Sequence, residues 1–336
     1  MAKTNVIMIG TGGMARHHLS VMLGMKNTKL VGYVEPSLDQ QEATQKLHET
    51  KKVPCPPFYG SIKELIKAQG PADAAFIITP HKFHLKNTSD CLKAGMDVLL
   101  EKPMVLNETE AKKLIKLREK TGKLLVIGFP GSLSPAIKKA KQIINSGKLG
   151  NVSSISAYVH QHWKHATIGT WRQNPEISGG GFLFDTGSHM INTVVDLGQD
   201  DVVEVSAIMD NCATPVEINS TVSGRFASGT MFSLAAAGDS MHCTSMVTVM
   251  GDRGVLQTGI WGERLLFKSH KDAEFTEVKT AKSQGVWEQF IKVRSGKVEN
   301  PCPPEVGLRF ARLMDMIRKS ADTGKTIKRT RKSRSK

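Results

Sequence analysis

The sequence predicts an α/β domain with a doubly wound parallel sheet over residues 1–127, followed by an α+β domain with a large, mostly antiparallel open sheet over residues 128–324. Three observations carry this division. Short apolar runs alternate with helical patterns as far as Lys123-Leu-Leu-Val-Ile127, the order expected of a parallel sheet. A glycine-rich turn, Gly10-Thr-Gly-Gly-Met-Ala15, sits between the first run and the first helical pattern. Beyond Gly128 the extended runs follow one another through Ser-Gly and Asp-Arg-Gly turns, as in an antiparallel meander.

The elements follow from local chemistry. Asn5–Ile9 is β-branched at Val6, Ile7 and Ile9 and predicts a buried strand. A helix with Met14, Leu19, Met22 and Leu23 at its apolar positions comes next, then a second strand, Lys29–Val34. Residues 36–57 predict a polar helix and a proline-rich loop. Ser61 with Glu64 three residues on has the form of a capping box for a helix to Ala68. Asp73–Thr79 is a strand ended by Pro80, a helix covers Leu85–Ala94, and Val98–Leu100 is the strand that runs into Glu101-Lys102-Pro103. Asn107–Thr121 is a charged amphipathic helix. In the second domain a helix over about Pro135–Ser146 precedes strands at Val152–Val159, Val202–Met209, Ile218–Phe226, Thr230–Ala236, Met246–Met250 and Arg264–Phe267. A last helix, Pro304–Ser320, presents Val306, Phe310, Leu313, Met314 and Ile317 on one face and should dock.

Composition narrows the class. The 336 residues are 40% hydrophobic and 23% charged, enough for two cores and with no apolar run long enough to span a bilayer. Periodicity begins at Val6 and leaves no room for a signal peptide, and Cys55, Cys91, Cys212, Cys243 and Cys302 have no pairing or zinc spacing. Both point to reduced thiols in a cytoplasmic protein. The net charge is +15, but seven Lys/Arg and no acid fall in residues 325–336, a basic tail expected to be disordered, which leaves +8 on residues 1–324. Nucleic acid is therefore not an expected partner, whereas anionic cofactors and substrates suit a mildly basic body.

The turn Gly10, Thr11, Gly12, Gly13, Met14, Ala15 is a dinucleotide motif: Gly10 permits the tight turn, Gly12 lets backbone approach a pyrophosphate, and Ala15 lets helix and strand pack closely. Glu35, ending the second strand, can accept hydrogen bonds from ribose hydroxyls and would repel a 2′-phosphate, so the expected cofactor is NAD rather than NADP. Thr79, Pro80, His81 and His84 form a loop expected near the nicotinamide ribose, the alternative for the histidines being packing at a helix start. Proline holds Lys102 extended at a strand's carboxyl end, where an ammonium can stabilise a forming alkoxide; a solvated lysine is the plainer reading of an isolated Glu-Lys-Pro. Asp185 and His189 stand one helical turn apart, His189 as general base beside a helix N-terminus and Asp185 as its support, or as a helix cap. Trp163 or Trp171 can stack on a sugar face, and Arg172 can hold a carboxylate or hydroxyl. His160 and His162 alternate on one strand face but have no defined third ligand, so no metal is expected.

Taken together, Gly10–Ala15 with His18, Glu35, Thr79-Pro80-His81…His84, Glu101-Lys102-Pro103, Asp185-x-Gly-x-His189 and Met250-Gly-Asp-Arg-Gly254 resemble the family of glucose–fructose oxidoreductase, inositol dehydrogenase and the MocA protein over nearly the whole chain. The resemblance implies an NAD-binding Rossmann domain and a dehydrogenase acting on a secondary hydroxyl of a sugar, sugar derivative or cyclitol. It implies that Lys102 polarises the hydroxyl, His189 deprotonates it and Asp185 binds substrate. Two departures stand out: Gly128-Phe-Pro-Gly-Ser-Leu-Ser-Pro135 lacks the family's frequent arginine and aromatic, and Asn192 replaces an acid. An NAD-dependent glycoside hydrolase working by transient oxidation, and a non-catalytic NAD- or sugar-sensing regulator, are the alternatives. An open sheet face of this size needs covering, so a homodimer or homotetramer through the C-terminal sheet is expected.

Overall fold

A computed structural model describes residues 3–329. Most of the basic tail expected from Lys325, residues 330–336, lies outside the described residues. The chain divides into two units: one takes the chain to Gly128 together with Gly285–Glu305, the other takes Phe129–Gln284 and the chain from Val306 on.

The first unit begins with β1 (Thr4–Ile9), α1 (Gly13–Met22), β2 (Thr28–Val34), α2 (Leu38–Lys51), β3 (Phe58–Tyr59) and α3 (Ile62–Gln69). It continues through β4 (Ala74–Ile77), a 3-10 turn (His81–Phe83), α4 (His84–Lys93), β5 (Asp97–Leu100), α5 (Glu108–Thr121) and β6 (Leu125–Ile127). All six strands are parallel, in the order β3-β2-β1-β4-β5-β6. Val6 to Met8, Ala74 to Ile77 and Val98 to Leu100 are wholly buried, as strands covered on both faces must be. The order reverses between β1 and β4, which opens a crevice at the strands' carboxyl ends. Two local expectations shift. Met14 is not a core residue of α1: its side chain is 49% exposed, and Ala15, Leu19 and Met22 do the packing. Ser61 caps α3 through the Glu64 N–H, but the Glu64 carboxylate accepts from Gly60 rather than Ser61, so the box closes one residue early.

The second unit opens with α6 (Pro130–Leu133), α7 (Pro135–Asn145), β7 (Val152–His160), α8 (Trp163–Ala166), α9 (Pro175–Ser178), α10 (Phe182–Asp185) and α11 (Gly187–Gly198). The meander follows as β8 (Val202–Asp210), β9 (Asn219–Phe226), β10 (Met231–Ala237), β11 (Thr244–Gly251), β12 (Gly254–Thr258), β13 (Leu265–Ser269) and β14 (Thr276–Glu277). With β15 (Ile327–Lys328) these strands form one sheet, ordered β14-β13-β12-β11-β7-β10-β9-β8-β15. It is antiparallel except where β7 runs parallel to β10. Alternation is clean: Ile155, Ala157, Val159, Val222, Leu234 and Val249 face the core, while Thr221, Ser223, Met231, Ser233 and Ala235 are exposed. The sequence reading passes over β12, because its run opens on glycine, a poor strand former. Gly254 leaves β13 little room to spare, since a Cβ would stand 3.0 Å from the Phe267 ring.

The boundary expected at residue 128 is incomplete. Helix α12 (Val286–Arg294) returns to the first unit, where Trp287 stacks on Phe76 at 6.0 Å and donates to Thr28 Oγ1 at 2.8 Å. Arg294 pairs with Asp97 at 2.9 Å, and the Ile127 N–H of edge strand β6 donates to Cys302 O at 2.9 Å. An apolar helix face and an unpaired sheet edge satisfy each other, which no local pattern announces. Helix α13 (Pro304–Thr323) buries Phe310, Met314 and Ile317. The tail expected from 325 is also shorter, since Ile327 and Lys328 pair with Val205 and Glu204 on β8. Among the described residues no helix is long and apolar enough to cross a membrane.

Candidate active site

Two clusters of polar residues answer to the sequence motifs, one in each unit. In the first unit the cluster lies where β1, β2, β4 and β5 end. Gly10 has φ of +85°, and a Cβ there would stand 2.6 Å from Ile78 O, so the turn requires glycine. A Cβ on Gly12 or Gly13 would meet nothing within 4 Å, and no side chain caps α1. An open space over the uncapped N-terminus of α1 suits a pyrophosphate. Glu35 is buried, and its carboxylate accepts from the Thr11 N–H at 2.9 Å and, through its other oxygen, from the Ser37 N–H at 2.9 Å. These backbone bonds fix the acid against the glycine turn, where a ribose is expected. The donor set and the space therefore fit a nicotinamide dinucleotide.

Glu101 and Lys102 follow β5. Glu101 is buried and accepts from His18 Nε2 at 2.8 Å and, at its second oxygen, from the Lys102 N–H at 3.1 Å. Burial pushes its carboxyl up, yet the His18 hydrogen bond and the charges of His18 and Lys102 outweigh that and hold it below the ordinary carboxylate value. His18, on the face of α1 that looks over the sheet, also packs against Phe76 with ring centres 5.1 Å apart. Glu101, expected among the cofactor-binding residues, is a brace between α1 and the strand end that carries half-buried Lys102. The histidine loop also departs from expectation. His81 is buried and His84 wholly so, with ring centres 5.7 Å apart. The ring of His84 faces Pro103 O and Thr79 O, so packing at the helix start accounts for it better than contact with a ribose. Thr79 and Pro80 remain half-buried at the end of β4.

In the second unit the cluster centres on Asp185, the last residue of α10. Its Oδ2 accepts from Trp163 Nε1 at 3.0 Å and from Arg172 Nε at 3.0 Å. Arg172 in turn lies over the Trp171 ring, 4.6 Å from its centre. Trp163 is only 4% exposed and packs against Phe182, so it orients Asp185 instead of offering a face to a sugar. Half-buried Trp171 keeps that possibility. Asp185 is not the cap of α11: it closes α10, and the Ser188 hydroxyl donates to its carbonyl at 2.6 Å. His189 sits in the first turn of α11, half-buried between Phe129 (ring centres 6.1 Å apart) and Trp261 (5.7 Å).

Sequence reasoning missed what holds this cluster. The Glu217 carboxylate accepts from the Gly181 N–H at 2.6 Å and the Phe184 N–H at 3.1 Å, capping α10 from another strand entrance. Burial pushes its carboxyl above the ordinary value against the pull of those donors. A Cβ on Gly181 would stand 1.9 Å from Glu217 O, so the glycine run was the available signal. The two departures from the family pattern meet in the core. Asn192 Nδ2 donates to Ser132 Oγ at 2.8 Å, the Ser132 hydroxyl donates to Asp196, and Arg309 pairs with Asp196 at 2.6 Å. Phe129, from the run that departs from the family pattern, and Trp261, from a loop that carries no motif, flank His189. Among the described residues, no group of three His, Cys, Asp or Glu could hold a metal.

Residues 4–129 match the family profile described as the oxidoreductase family with NAD-binding Rossmann fold, and residues 137–257 match the GFO/IDH/MocA C-terminal domain. The chain is 24% identical to Oxidoreductase P35 of Formosa agariphila over 73% of this chain and 78% of that protein. It is 22% identical to the NADP-dependent D-xylose 1-dehydrogenase of Haloarcula marismortui over 76% of this chain and 74% of that one. In fold it resembles the aldose-aldose oxidoreductase of Caulobacter crescentus, solved with glycerol, with a TM-score of 0.82 at 21% identity, covering 97% of this chain and all of the other.

Proposed function

This chain belongs to the Gfo/Idh/MocA oxidoreductase family, and we propose that it moves a hydride between a nicotinamide dinucleotide and a secondary hydroxyl or ketone of a sugar, sugar derivative or cyclitol. The observation that carries this reading is Lys102: a lysine fixed just past β5, in the same ring of strand ends as the glycine turn and Glu35, with its backbone N–H held by buried Glu101. Lys102 polarises the substrate hydroxyl and steadies the oxygen as its negative charge grows. His189 takes the hydroxyl proton, and Asp185 binds substrate and supports His189, its own orientation set by Trp163 and Arg172. A nicotinamide, when bound, supplies the hydride acceptor. Relatives named for D-xylose and for D-glucoside oxidation support a sugar-class substrate.

NAD is the preferred cofactor, because Glu35 brings a negative charge to the place where NADP carries its 2′-phosphate. Arg16 is the opposing feature: it bonds Thr11 O at 2.7 Å and Gln40 Oε1 at 2.6 Å, close enough to the turn to serve a phosphate. The outer face of the nine-stranded sheet, with Ile208 76% and Met231 50% exposed, is the proposed surface of a homodimer or homotetramer. Five free cysteines suit a reducing, cytoplasmic setting.

The test is absorbance at the reduced-nicotinamide band, with NAD and NADP supplied separately against sugars, sugar acids and inositols. Growth with NAD on one substrate group is the expected result. A flat trace throughout, with NAD binding intact by thermal shift, would overturn the dehydrogenase reading and favour transient oxidation in a hydrolase, then a sensor.

A further inference from the structure

We propose that His84 is a positioning residue that sets the place of Lys102 from inside the fold. The imidazole is wholly buried at the start of α4, with Nδ1 2.8 Å from Pro103 O and Nε2 2.9 Å from Thr79 O. Those carbonyls belong to the segments that leave β5 and β4, neighbours in the sheet. A carbonyl oxygen only accepts, so each contact needs an N–H on the ring. The neutral ring has one and the cation two, and in either form the ring is tied to at least one strand exit. Burial lowers the pKa of His84, while the two carbonyls and the charge of Glu101 pull it back up; Lys102 adds to the lowering, and the ring of His81 packs against it edge-on.

The same helix holds Thr79 a second time, through Asn87 Nδ2 to Thr79 Oγ1 at 3.2 Å. The exit of β4 therefore has two ties to α4. Pro103 is bonded to Lys102, the residue read above as polarising the hydroxyl, and its carbonyl is held by Nδ1. A neutral ring makes only one of these ties: an N–H on Nε2 would duplicate the Asn87 hold on Thr79, so the N–H is assigned to Nδ1, where it fixes the Lys102 segment. Lateral displacement of a reacting group by about 1 Å can cost about 100-fold in rate.

The inference rests on the reading of Lys102 as the hydroxyl-polarising residue, and its test uses isosteres that keep one nitrogen each. His84→Asn places an amide near Nδ1 and keeps the Pro103 tie; His84→Gln places one near Nε2 and keeps the Thr79 tie; His84→Phe keeps neither. On the best sugar substrate, His84→Asn is expected to hold kcat within about threefold of the native enzyme, while His84→Gln and His84→Phe lose about 10- to 100-fold. NAD affinity should stay within about threefold in all three. In a Lys102→Met background the His84 substitutions should add little further loss, because they act through the same residue. Equal losses for Asn and Gln, or losses that multiply with Lys102→Met, would overturn the proposal. A second readout needs no turnover: amide hydrogen exchange at Glu101, Lys102 and Met104 should quicken in His84→Gln and His84→Phe but not in His84→Asn. If the native protein reduces no NAD, the dehydrogenase reading fails, and unchanged exchange in all three variants would then separately sink the role of His84.

Discussion

The two clusters are built in opposite ways. In the first unit most of the polar groups are tied to backbone: Glu35 to Thr11 and Ser37, Glu101 to Lys102, His84 to Thr79 and Pro103, with His18 on Glu101 the side-chain exception. In the second, side chains hold one another: Trp163 and Arg172 on Asp185, Phe129 and Trp261 around His189, while Glu217 reaches the backbone of the turn before Asp185. The first is a binding surface defined by the geometry of parallel strand ends, where backbone is already in place and a few side chains are added to it. The second, under the proposed function, is the substrate side of the chemistry, held by side-chain contacts that can be exchanged, while Lys102 brings a chemical group to the first. A fold that keeps its cofactor and varies its substrate would be expected to divide its construction in this way.

The sharpest break between the clusters is Lys102→Met. The substitution keeps the stem and removes the ammonium, so the stabilisation of a growing negative charge disappears while the backbone bonds of the strand exit stay. Turnover is expected to fall by about 100- to 1,000-fold, the scale on which a preorganised donor to a developing oxyanion contributes. NAD affinity, measured by calorimetry, should remain within a few-fold. A parallel loss of NAD binding would place Lys102 among the residues that shape the strand exit, and the division between binding surface and chemical site would not hold.

The same contrast decides what was legible in the sequence. Gly10, Gly12, Glu35 and Lys102 could be read because a parallel strand must end, turn and begin a helix within a few residues, and each step selects a residue type. Asp185 and His189 were legible as a spacing, but their surroundings were not. Its aromatic type makes Trp163, like Trp171, a candidate sugar platform; only burial against Phe182 shows it as a donor to Asp185. Glu217 lies on a run with no motif, and only the glycines it approaches hint at it. The return of α12 to the first unit was hidden for a similar reason, since its signal is the unpaired edge of β6 some 160 residues earlier. The histidines at 81 and 84 show the limit of motif reading even in the first unit: the spacing was right, and burial decided what the rings do.

A second test sharpens the comparison through stability. Glu101 is the one acid in the first cluster whose carboxyl is held low by a side chain, His18. Since its folded-state value lies below the unfolded one, the stability it contributes is present above the ordinary carboxylate range and is lost as pH falls through the lower folded value. Glu101→Gln should therefore cost about 1–3 kcal/mol at neutral pH, the scale for a buried hydrogen bond to a charged group. It should also flatten the acid side of the melting-temperature profile. A variant with native stability at pH 7 and the native acid profile would mean that burial cancels what His18 supplies.

The smallest expected effect is the most specific to the second cluster. Trp163→Phe keeps the buried ring against Phe182 and removes the indole donor to Asp185 Oδ2, leaving Arg172 in place. A single neutral hydrogen bond contributes about 1 kcal/mol, so kcat/KM for the sugar should fall about fivefold, with NAD affinity unchanged. The substitution in which direct stacking and orientation part ways is Trp171→Phe, where an aromatic face is kept and no bond to Asp185 is lost. If Trp163 were a platform for the sugar, Trp163→Phe would raise KM alone; because it orients the carboxylate, the loss should fall on kcat. A loss confined to KM in Trp163→Phe would return the residue to the surface role its sequence suggested, and would mean that Arg172 alone is sufficient to hold Asp185.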